Sequence, residues 1–165
     1  EDNDIITHPE GDVASLALNL MQTPIAILGP EELMPAVNRF KNQLNENSSR
    51  FARIGAFPEM NHNESVAWGG VGDDQDPSAA DQALLLLSWD GIHPRVRHRM
   101  DWFVSNCPTE LAWKIHGDGE TLLECLLHLC IMTDWLSIAL ALLHGKDPSA
   151  IDPIISLKEY LSQID

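Results

Sequence analysis

Two short runs of apolar residues place the strongest constraint on how this chain folds. One covers residues 24–29 (PIAILG) and the other covers residues 84–89 (LLLLSW), and neither alternates apolar with polar side chains. Alternation is typical of a strand with one face in solvent, whereas a strand buried on both faces reads as a continuous apolar run. These two runs therefore predict interior strands of a parallel sheet.

The segments around these runs have the apolar spacing of helices. Apolar residues recur every three or four positions in five segments, which are residues 11–21, 31–45, 94–106, 119–143 and 151–164. Two shorter apolar segments have the length of further strands, residues 53–57 and 111–116. Because strands alternate with helices, the pattern predicts an α/β fold with a mainly parallel sheet. We expect residues 1–165 to form a single domain, since this length suits one hydrophobic core.

The charge of the chain argues against two classes of partner. Ten basic residues stand against 25 acidic ones, for a net charge of −15, whereas nucleic acids and anionic membranes are bound by cationic surfaces. Residues 122–143 are a long apolar segment, but Glu124, His128 and Asp134 interrupt it. Since an Asp near the bilayer centre costs roughly 2.5–3.5 kcal/mol, this segment is predicted to be a buried helix or helix pair.

Cysteine and histidine spacing bears on location and cofactors. The three cysteines, Cys107, Cys125 and Cys130, lack the spacing of a disulfide framework, so we expect free thiols in a reducing cytoplasm. The sequence has no His-x-x-x-His or Cys-x-x-Cys pair, and we predict no metal and no other cofactor. The chain begins at Glu1 without Met and without the pattern of a signal peptide, and we interpret it as part of a longer protein.

One carboxylate and one imidazole stand out among asparagines. Glu46 lies in residues 42–47 (NQLNEN) and His62 in residues 58–63 (PEMNHN), sixteen positions apart. A carboxylate can move a proton between neighbouring sugar carbons, and an imidazole, which titrates near neutrality, can protonate a ring oxygen. Because Glu46 is near the end of the helix after the first strand, we expect its side chain beyond the carboxyl ends of the strands, the usual position for ligands.

Each candidate also has an ordinary interpretation. From spacing alone, Glu46 fits a surface residue at a helix end, and His62 fits a solvated histidine in a loop. Lys158, on the last predicted helix, fits either a solvated lysine or a functional one that supplies positive charge in an acidic chain. Spacing does not choose between these interpretations.

Six motifs in a fixed order resemble one known family. They are FKNQLNEN at 40–47, FPEMNHNE at 57–64, HPR at 93–95, DW at 134–135, GKDP at 145–148 and LK at 157–158. Together they resemble the bifunctional phosphoglucose/phosphomannose isomerase family, over nearly the whole chain. The similarity is to the C-terminal sugar isomerase (SIS) domain of those proteins. It implies a three-layer α/β/α SIS-type domain that forms the C-terminal half of a longer protein with two SIS domains.

The resemblance also implies a reaction and the residues for it. The family converts glucose 6-phosphate or mannose 6-phosphate to fructose 6-phosphate through a cis-enediol. Glu46 matches the base that moves the proton between C2 and C1, and Lys158 matches a lysine that acts at the ring oxygen. His62 matches a histidine that assists ring opening and that reaches the site from the partner subunit of a homodimer.

Three asparagines flank these residues in the same motifs. Asn45 and Asn47 stand on either side of Glu46, and Asn61 precedes His62. Amide dipoles next to a base can stabilise an enediolate, so we predict that these three side chains contact the substrate.

Two departures from the family pattern limit the expected activity. Members bind the sugar phosphate with a glycine-rich loop and a Ser/Thr-rich loop in a preceding SIS domain, and this chain contains neither. Residues 69–77 are rich in glycine, but no strand precedes them and acids follow, so they do not fit a phosphate cradle. The isolated chain is therefore expected to be inactive. No Thr lies between Asp147 and Lys158, where some members have one that is associated with accepting both epimers.

Two further functions remain open at this point. The chain fits a non-catalytic SIS-type module that binds a sugar phosphate, and it fits a purely structural dimerisation module. The presence of Glu46, His62 and Lys158 in one chain is the reason to favour the enzyme.

Overall fold

Four parallel strands form one sheet in the order β2–β1–β3–β4, in a computed structural model that describes residues 4–69 and 76–164. The strands are β1 (Ile25–Pro30), β2 (Ala52–Phe57), β3 (Ala83–Ser88) and β4 (Ala112–His116). The two central strands, β1 and β3, are the two apolar runs, and every residue in both is buried. The predicted parallel sheet is therefore confirmed.

Helices cover both faces of the sheet. They are α1 (Asp12–Leu20), α2 (Met34–Ser48), α3 (Glu64–Trp68), α4 (Pro94–Asn106), α5 (Leu122–Leu143) and α6 (Asp152–Leu161). Two short 3₁₀ turns, Glu31–Leu33 and Glu59–His62, follow β1 and β2. Helices α1, α2 and α5 pack on one face, and α3 and α4 pack on the other. This is the expected three-layer α/β/α arrangement.

The two central strands send alternate side chains into two separate cores. Ile27 and Leu85 face the α1–α2–α5 layer, where they pack with Phe40. The next residues, such as Leu28, face the α3–α4 layer, whose core contains Phe57, Trp68 and Phe103. Successive residues of a strand point to opposite sides, so burial of both faces requires apolar residues at every position. This requirement explains why the runs do not alternate.

Helix α5 is long and apolar enough to meet the length and composition criteria for a membrane span, and among the described residues it is the one helix that does. A core helix of a soluble protein meets the same criteria. Its Leu129 and Leu140 are fully buried in the α1–α2–α5 layer, as expected of a buried helix. Leu123 and Leu127, by contrast, are more than half exposed, so the burial covers one side of the helix.

Helix α6 packs on neither layer. Residues 152–161 include no buried side chain, although Ile154, Leu157 and Leu161, spaced at three or four residues, give the helix an apolar side. The glycine-rich loop predicted at 69–77 falls largely on residues 70–75, which lie outside the described residues.

The direction of the helices distinguishes the two edges of the sheet. We call the edge where the strands end the carboxyl edge, and the edge where they begin the amino edge. A helix that follows a parallel strand must run back to the start of the next strand, so α2 and α5 end at the amino edge. The ends of α2 and α5 meet there, because Lys146 Nζ, just after α5, donates to Ser48 O at 3.2 Å.

Candidate functional site

Glu46 lies at the amino edge of the sheet. Helix α2 ends at Ser48, and β2 then begins at Ala52, which pairs with Ile25, the first residue of β1. The expectation that Glu46 lies beyond the carboxyl ends of the strands is therefore wrong. The physical reason is the return direction of the helix, since only its first turn lies near the end of the preceding strand. The Glu46 side chain is exposed.

His62 lies at the opposite edge and on the opposite face. It ends the 3₁₀ turn that follows β2, and Met60 in this turn packs in the core of the α3–α4 layer. A strand of six residues spans roughly 17–20 Å, and the sheet itself separates the layer of α2 from the layer of this turn. Glu46 and His62 therefore do not meet within one chain.

The helix that contains Lys158 starts on the same side of the sheet as Glu46. Helix α6 follows the end of α5 at the amino edge, and Lys158 is exposed on it. Among the described residues, no ion pair involves Glu46, His62 or Lys158. All three candidate side chains are thus accessible to a ligand or to a partner.

The three candidate asparagines differ in their surroundings. Asn45 is exposed at the amino edge. Asn47 Nδ2 donates to Gln43 Oε1 at 3.0 Å and to Ser137 Oγ at 2.7 Å, so this amide ties α2 to α5. Asn61 Nδ2 donates to Ser65 Oγ at 3.3 Å. Its Oδ1 is buried without a hydrogen-bond donor in the part of the chain that the structure describes.

The turn that contains His62 is held by a cluster beside β2. Arg53 forms an ion pair with Glu64, and its guanidinium carbon lies 5.1 Å from the centre of the Trp68 ring. The side chain of Asn63 accepts a hydrogen bond from Glu64 N at 2.7 Å, which caps the start of α3. Gly55 makes room for this cluster, since a Cβ there would lie 3.3 Å from both Glu64 carboxylate oxygens.

Two cations that the motifs did not indicate as functional hold the amino edge together. Arg50 Nη1 donates to Leu20 O at 2.6 Å and to Met21 O at 3.1 Å, and Arg50 Nη2 donates to Thr23 O. Burial lowers the pKa of Arg50 from its usual value. Together with Lys146, it satisfies carbonyls at the ends of α1 and α2. A basic residue just after a helix is a recognisable signal for such capping.

The usual ligand position of this sheet is acidic. Strand order reverses between β1 and β3, and ligands of open α/β sheets gather beyond the carboxyl ends at such a point. Here the residues after β1 are Glu31 and Glu32, and Trp89 Nε1, after β3, donates to Glu32 Oε1 at 3.2 Å. Two carboxylates disfavour a phosphate at this position.

A cavity of about 340 Å³ lies beside the His62 turn. It is lined by Asn61, Ser65, His98, Arg99 and Trp102, and we call it the α4 pocket. No sequence pattern indicates this pocket, because Asn61 and Trp102 are far apart in the chain and come together only where α3 and α4 share one face of the sheet. Among the described residues, no group of three metal-ligating side chains is found.

The fold defines the class of protein. A parallel sheet between two helical layers, with the strand order 2-1-3-4, is the architecture of sugar isomerase (SIS) domains. A crystal structure of a glucose-6-phosphate isomerase like protein from Thermus thermophilus matches 85% of this chain and 46% of its own chain, with a TM-score of 0.65 and 17% identity. At that identity the likeness establishes the fold alone.

Sequence comparison then gives the family. The model of the bacterial phospho-glucose isomerase C-terminal SIS domain matches residues 10–161, and this chain belongs to that family. The bifunctional phosphoglucose/phosphomannose isomerase of Aquifex aeolicus is 33% identical over 130 residues, which cover 76% of this chain and 38% of the relative. The protein of the same name from Thermoplasma acidophilum is 26% identical over 136 residues, covering 82% and 41%. The chain thus spans about two fifths of these relatives.

Proposed function

We propose that this chain is the catalytic half of a cytoplasmic phosphosugar isomerase, which converts glucose 6-phosphate or mannose 6-phosphate to fructose 6-phosphate. The observation that supports this most is the match of the bacterial phospho-glucose isomerase C-terminal SIS domain over residues 10–161. The separation of Glu46 and His62 in the chain then calls for a second copy. A base and an acid on opposite edges and faces of one sheet cannot serve one sugar in a single chain. They can do so where two copies face each other, so the proposal includes a homodimer.

The reaction moves one proton from C2 to C1 of the sugar. The Glu46 carboxylate removes the proton from C2 of the open-chain aldose, the C–H electrons form a C1–C2 double bond, and the carbonyl electrons move to O1 to give a cis-enediolate. The resulting carboxylic acid returns a proton to C1 while the O2 hydroxyl proton passes to O1, which leaves the ketose with its carbonyl at C2. Lys158 stabilises negative charge on the enediolate oxygens, and Asn45 is placed to donate from the same edge. No electrons leave the substrate, so the step requires no redox cofactor.

Ring opening precedes this step, and we assign its general acid to His62. The imidazolium of the partner's copy donates a proton to the ring oxygen as the ring C–O bond breaks. The exposed position of His62 on its 3₁₀ turn fits a side chain that reaches outside its own subunit.

The substrate phosphate requires a second part of the protein. The β1–β3 position of this chain has Glu31 and Glu32 where a phosphate would need N–H groups or cations. We infer that a preceding SIS domain supplies the phosphate loops, in agreement with the two fifths of the relatives' length that this chain spans.

Solvent deuterium exchange tests the proposal. The complete protein is incubated in D₂O with glucose 6-phosphate, and label is followed at C2 of the aldose and at C1 of the ketose. We expect exchange in the wild type and a loss of about 10²–10⁴-fold in Glu46→Gln, the range for a general base. The matched control is Glu110→Gln, which neutralises another exposed carboxylate.

The control should exchange as the wild type does. Absence of exchange in the wild type, combined with a thermal shift on addition of the sugar phosphate, would favour a non-catalytic binding module. Absence of both exchange and thermal shift would favour a structural dimerisation module.

A further inference from the structure

Helix α4 concentrates positive charge in an acidic chain. Residues 95–99 contain three of the ten Lys and Arg residues, and His98 lies among them. Arg95, Arg99 and Trp102 are spaced at three or four residues, so they lie along one side of the helix, and all three are exposed. Arg97 differs, because its Nη2 donates to Asp90 O at 2.7 Å.

The two exposed arginines on this side of α4 do not pair with carboxylates. Within residues 4–69 and 76–164, no ion pair involves Arg95 or Arg99. An arginine without a carboxylate partner is well suited to bind a phosphate, since its planar fork donates two parallel hydrogen bonds.

The α4 pocket combines this charge with groups that suit a sugar. The indole of Trp102 is 52% exposed and offers an apolar wall. Arg99, which lines the pocket, provides positive charge, and Asn61 and Ser65 in the same lining offer an amide and a hydroxyl group. A phosphorylated sugar is the ligand class that matches an anion site, an apolar wall and polar hydrogen-bonding groups together.

The location of the pocket links it to His62. Asn61 lines the pocket and is the immediate neighbour of His62 on the same 3₁₀ turn. Any arrangement of two subunits that brings His62 to a substrate therefore brings the α4 pocket close to that substrate as well.

We propose that Arg99 binds the phosphorylated substrate in trans, from the same subunit as His62 and opposite the subunit that supplies Glu46. This inference rests on the proposed function and extends it to a binding residue. The site beyond the carboxyl ends of β1 and β3 contains Glu31 and Glu32 and cannot supply positive charge for the phosphate. Helix α4 of the partner copy then provides part of that positive charge.

The first test compares two neighbouring arginines in the complete protein. Arg99→Gln removes the charge in the pocket, and Arg97→Gln removes the same charge from the same helix outside it. We expect KM for glucose 6-phosphate to rise about 10- to 100-fold in Arg99→Gln, the range for losing a hydrogen bond to a charged group. We expect kcat to change less than about threefold, since uniform binding is lost.

Arg97→Gln should keep the wild-type KM, and equal kinetics for the two variants would overturn the proposal. Arg99→Lys should recover part of the affinity, because it keeps the charge and loses the fork. Arg99 is exposed and Arg97 is partly exposed, and thermal melting should show that the variants fold as the wild type does.

The second test decides which subunit Arg99 serves. Differently tagged Glu46→Gln and Arg99→Gln chains are co-expressed, and the heterodimer is purified. If Arg99 acts in trans, one of the two shared sites is wholly wild type, and we expect wild-type KM with about half the wild-type kcat. If the heterodimer keeps the raised KM, Arg99 serves its own chain and the proposal is wrong.

The activities of the two parent homodimers test the proposed function separately from the inference about Arg99. Full activity of the Glu46→Gln homodimer would refute the catalytic role of Glu46 and leave the effect of Arg99 on KM intact. A wild-type KM in the Arg99→Gln homodimer, with an inactive Glu46→Gln homodimer, would refute only the inference about Arg99.

Discussion

The amino and carboxyl edges of the sheet complete their helices with opposite kinds of side chain, cationic donors at the first and hydrogen-bond acceptors at the second. At the amino edge, where α1, α2 and α5 end, Arg50 and Lys146 donate to backbone carbonyls. At the carboxyl edge, Glu124 accepts from backbone N–H groups before α5, and His93 Nδ1 accepts from Arg95 N at 3.2 Å at the start of α4. The helix macrodipole favours cations at the first edge and anions at the second.

This difference separates charged residues that complete the fold from those that remain available for chemistry. Glu46 is an anion at the edge that favours cations, and Arg99 is a cation in the first turns of α4, near the edge that favours anions. Neither has an ion-pair partner among the described residues. A charged side chain that neither pairs with another charge nor caps a helix does not stabilise the fold, so it is a candidate for function.

The largest expected effect tests whether the two edges meet between subunits. His62→Ala and Glu46→Gln homodimers of the complete protein should each lose about 10²-fold or more in isomerase activity, since each lacks one proton-transfer group. The purified heterodimer should regain about half the wild-type kcat, because one of its sites contains both groups. Steady-state assays of the three purified dimers measure this.

Activity in the heterodimer no higher than in the two parent variants would show that the edges do not meet between subunits. His8→Ala is the matched control, since it removes another exposed imidazole outside the site, and its homodimer should be fully active.

The second prediction concerns the cations of the amino edge. Arg50→Met should lower the free energy of unfolding by about 2–3 kcal/mol, because three carbonyls lose hydrogen bonds from a charged group in a partly buried place. Urea denaturation measures the change. Arg95→Met, at an exposed position without an ion pair, should change stability by less than about 0.5 kcal/mol. Equal losses would contradict a capping role for Arg50.

The sequence predicted the fold well because burial of a strand on both faces is visible in the residues of that strand alone. The runs at 24–29 and 84–89 became β1 (Ile25–Pro30) and β3 (Ala83–Ser88), each displaced by one residue at most. A strand that is buried on both faces must be apolar at each position, and this pattern is visible without knowledge of the neighbours.

The site was harder to predict, because its geometry depends on direction and on distant contacts. The position of Glu46 was assigned to the wrong edge, since the apolar spacing of a helix does not show which end of the sheet the helix returns to. The α4 pocket has no local signature, as Asn61 and Trp102 become neighbours only through packing on β1 and β3. The roles of Glu46, His62 and Lys158 stay predictions.

The third prediction perturbs the cluster that holds His62 at the carboxyl edge. In Gly55→Ala, the new Cβ would lie 2.8 Å from Leu28 Cδ2 in a fully buried site and 3.3 Å from the Glu64 carboxylate. We expect a loss of about 1–2 kcal/mol in unfolding free energy from overpacking, measured by urea denaturation. Displacement of Glu64 from Arg53 should also lower kcat/KM, since it shifts the turn that contains His62.

Gly145→Ala is the matched control for Gly55→Ala. Gly145 has open space around it and a φ of +66°, so a substitution there costs backbone strain of about 1 kcal/mol without touching the His62 turn. It should destabilise the protein and leave the contribution of His62 to kcat intact. A Gly55→Ala variant that loses stability and keeps kcat/KM would show that the Arg53–Glu64 pair does not position His62.

The smallest expected effect is the pH dependence of the carboxylate that starts α5 at the carboxyl edge. Hydrogen bonds from Thr121 N and from the Thr121 hydroxyl, and then one from Glu120 N, lower the pKa of Glu124 from its ordinary value of 4.5. A lowered pKa means that the ionised form is favoured in the folded state. Its stabilisation is therefore complete above about pH 4.5 and is lost as the pH falls through the lowered pKa.

Urea denaturation of the wild type and of Glu124→Gln, compared between about pH 7 and about pH 3, measures this dependence. The wild type should be the more stable at neutral pH, and the difference in unfolding free energy between the two proteins should decrease in acid. Glu120→Gln is the control, because Glu120 contributes its backbone N–H and not its carboxylate to the cap. The difference in unfolding free energy between Glu120→Gln and the wild type should not depend on pH in this way. A constant difference for Glu124→Gln would mean that the ionised carboxylate does not hold the start of α5. The start of α5 would then depend on the Thr121 hydroxyl, which accepts from Glu124 N, and on packing, while the amino edge kept its cations.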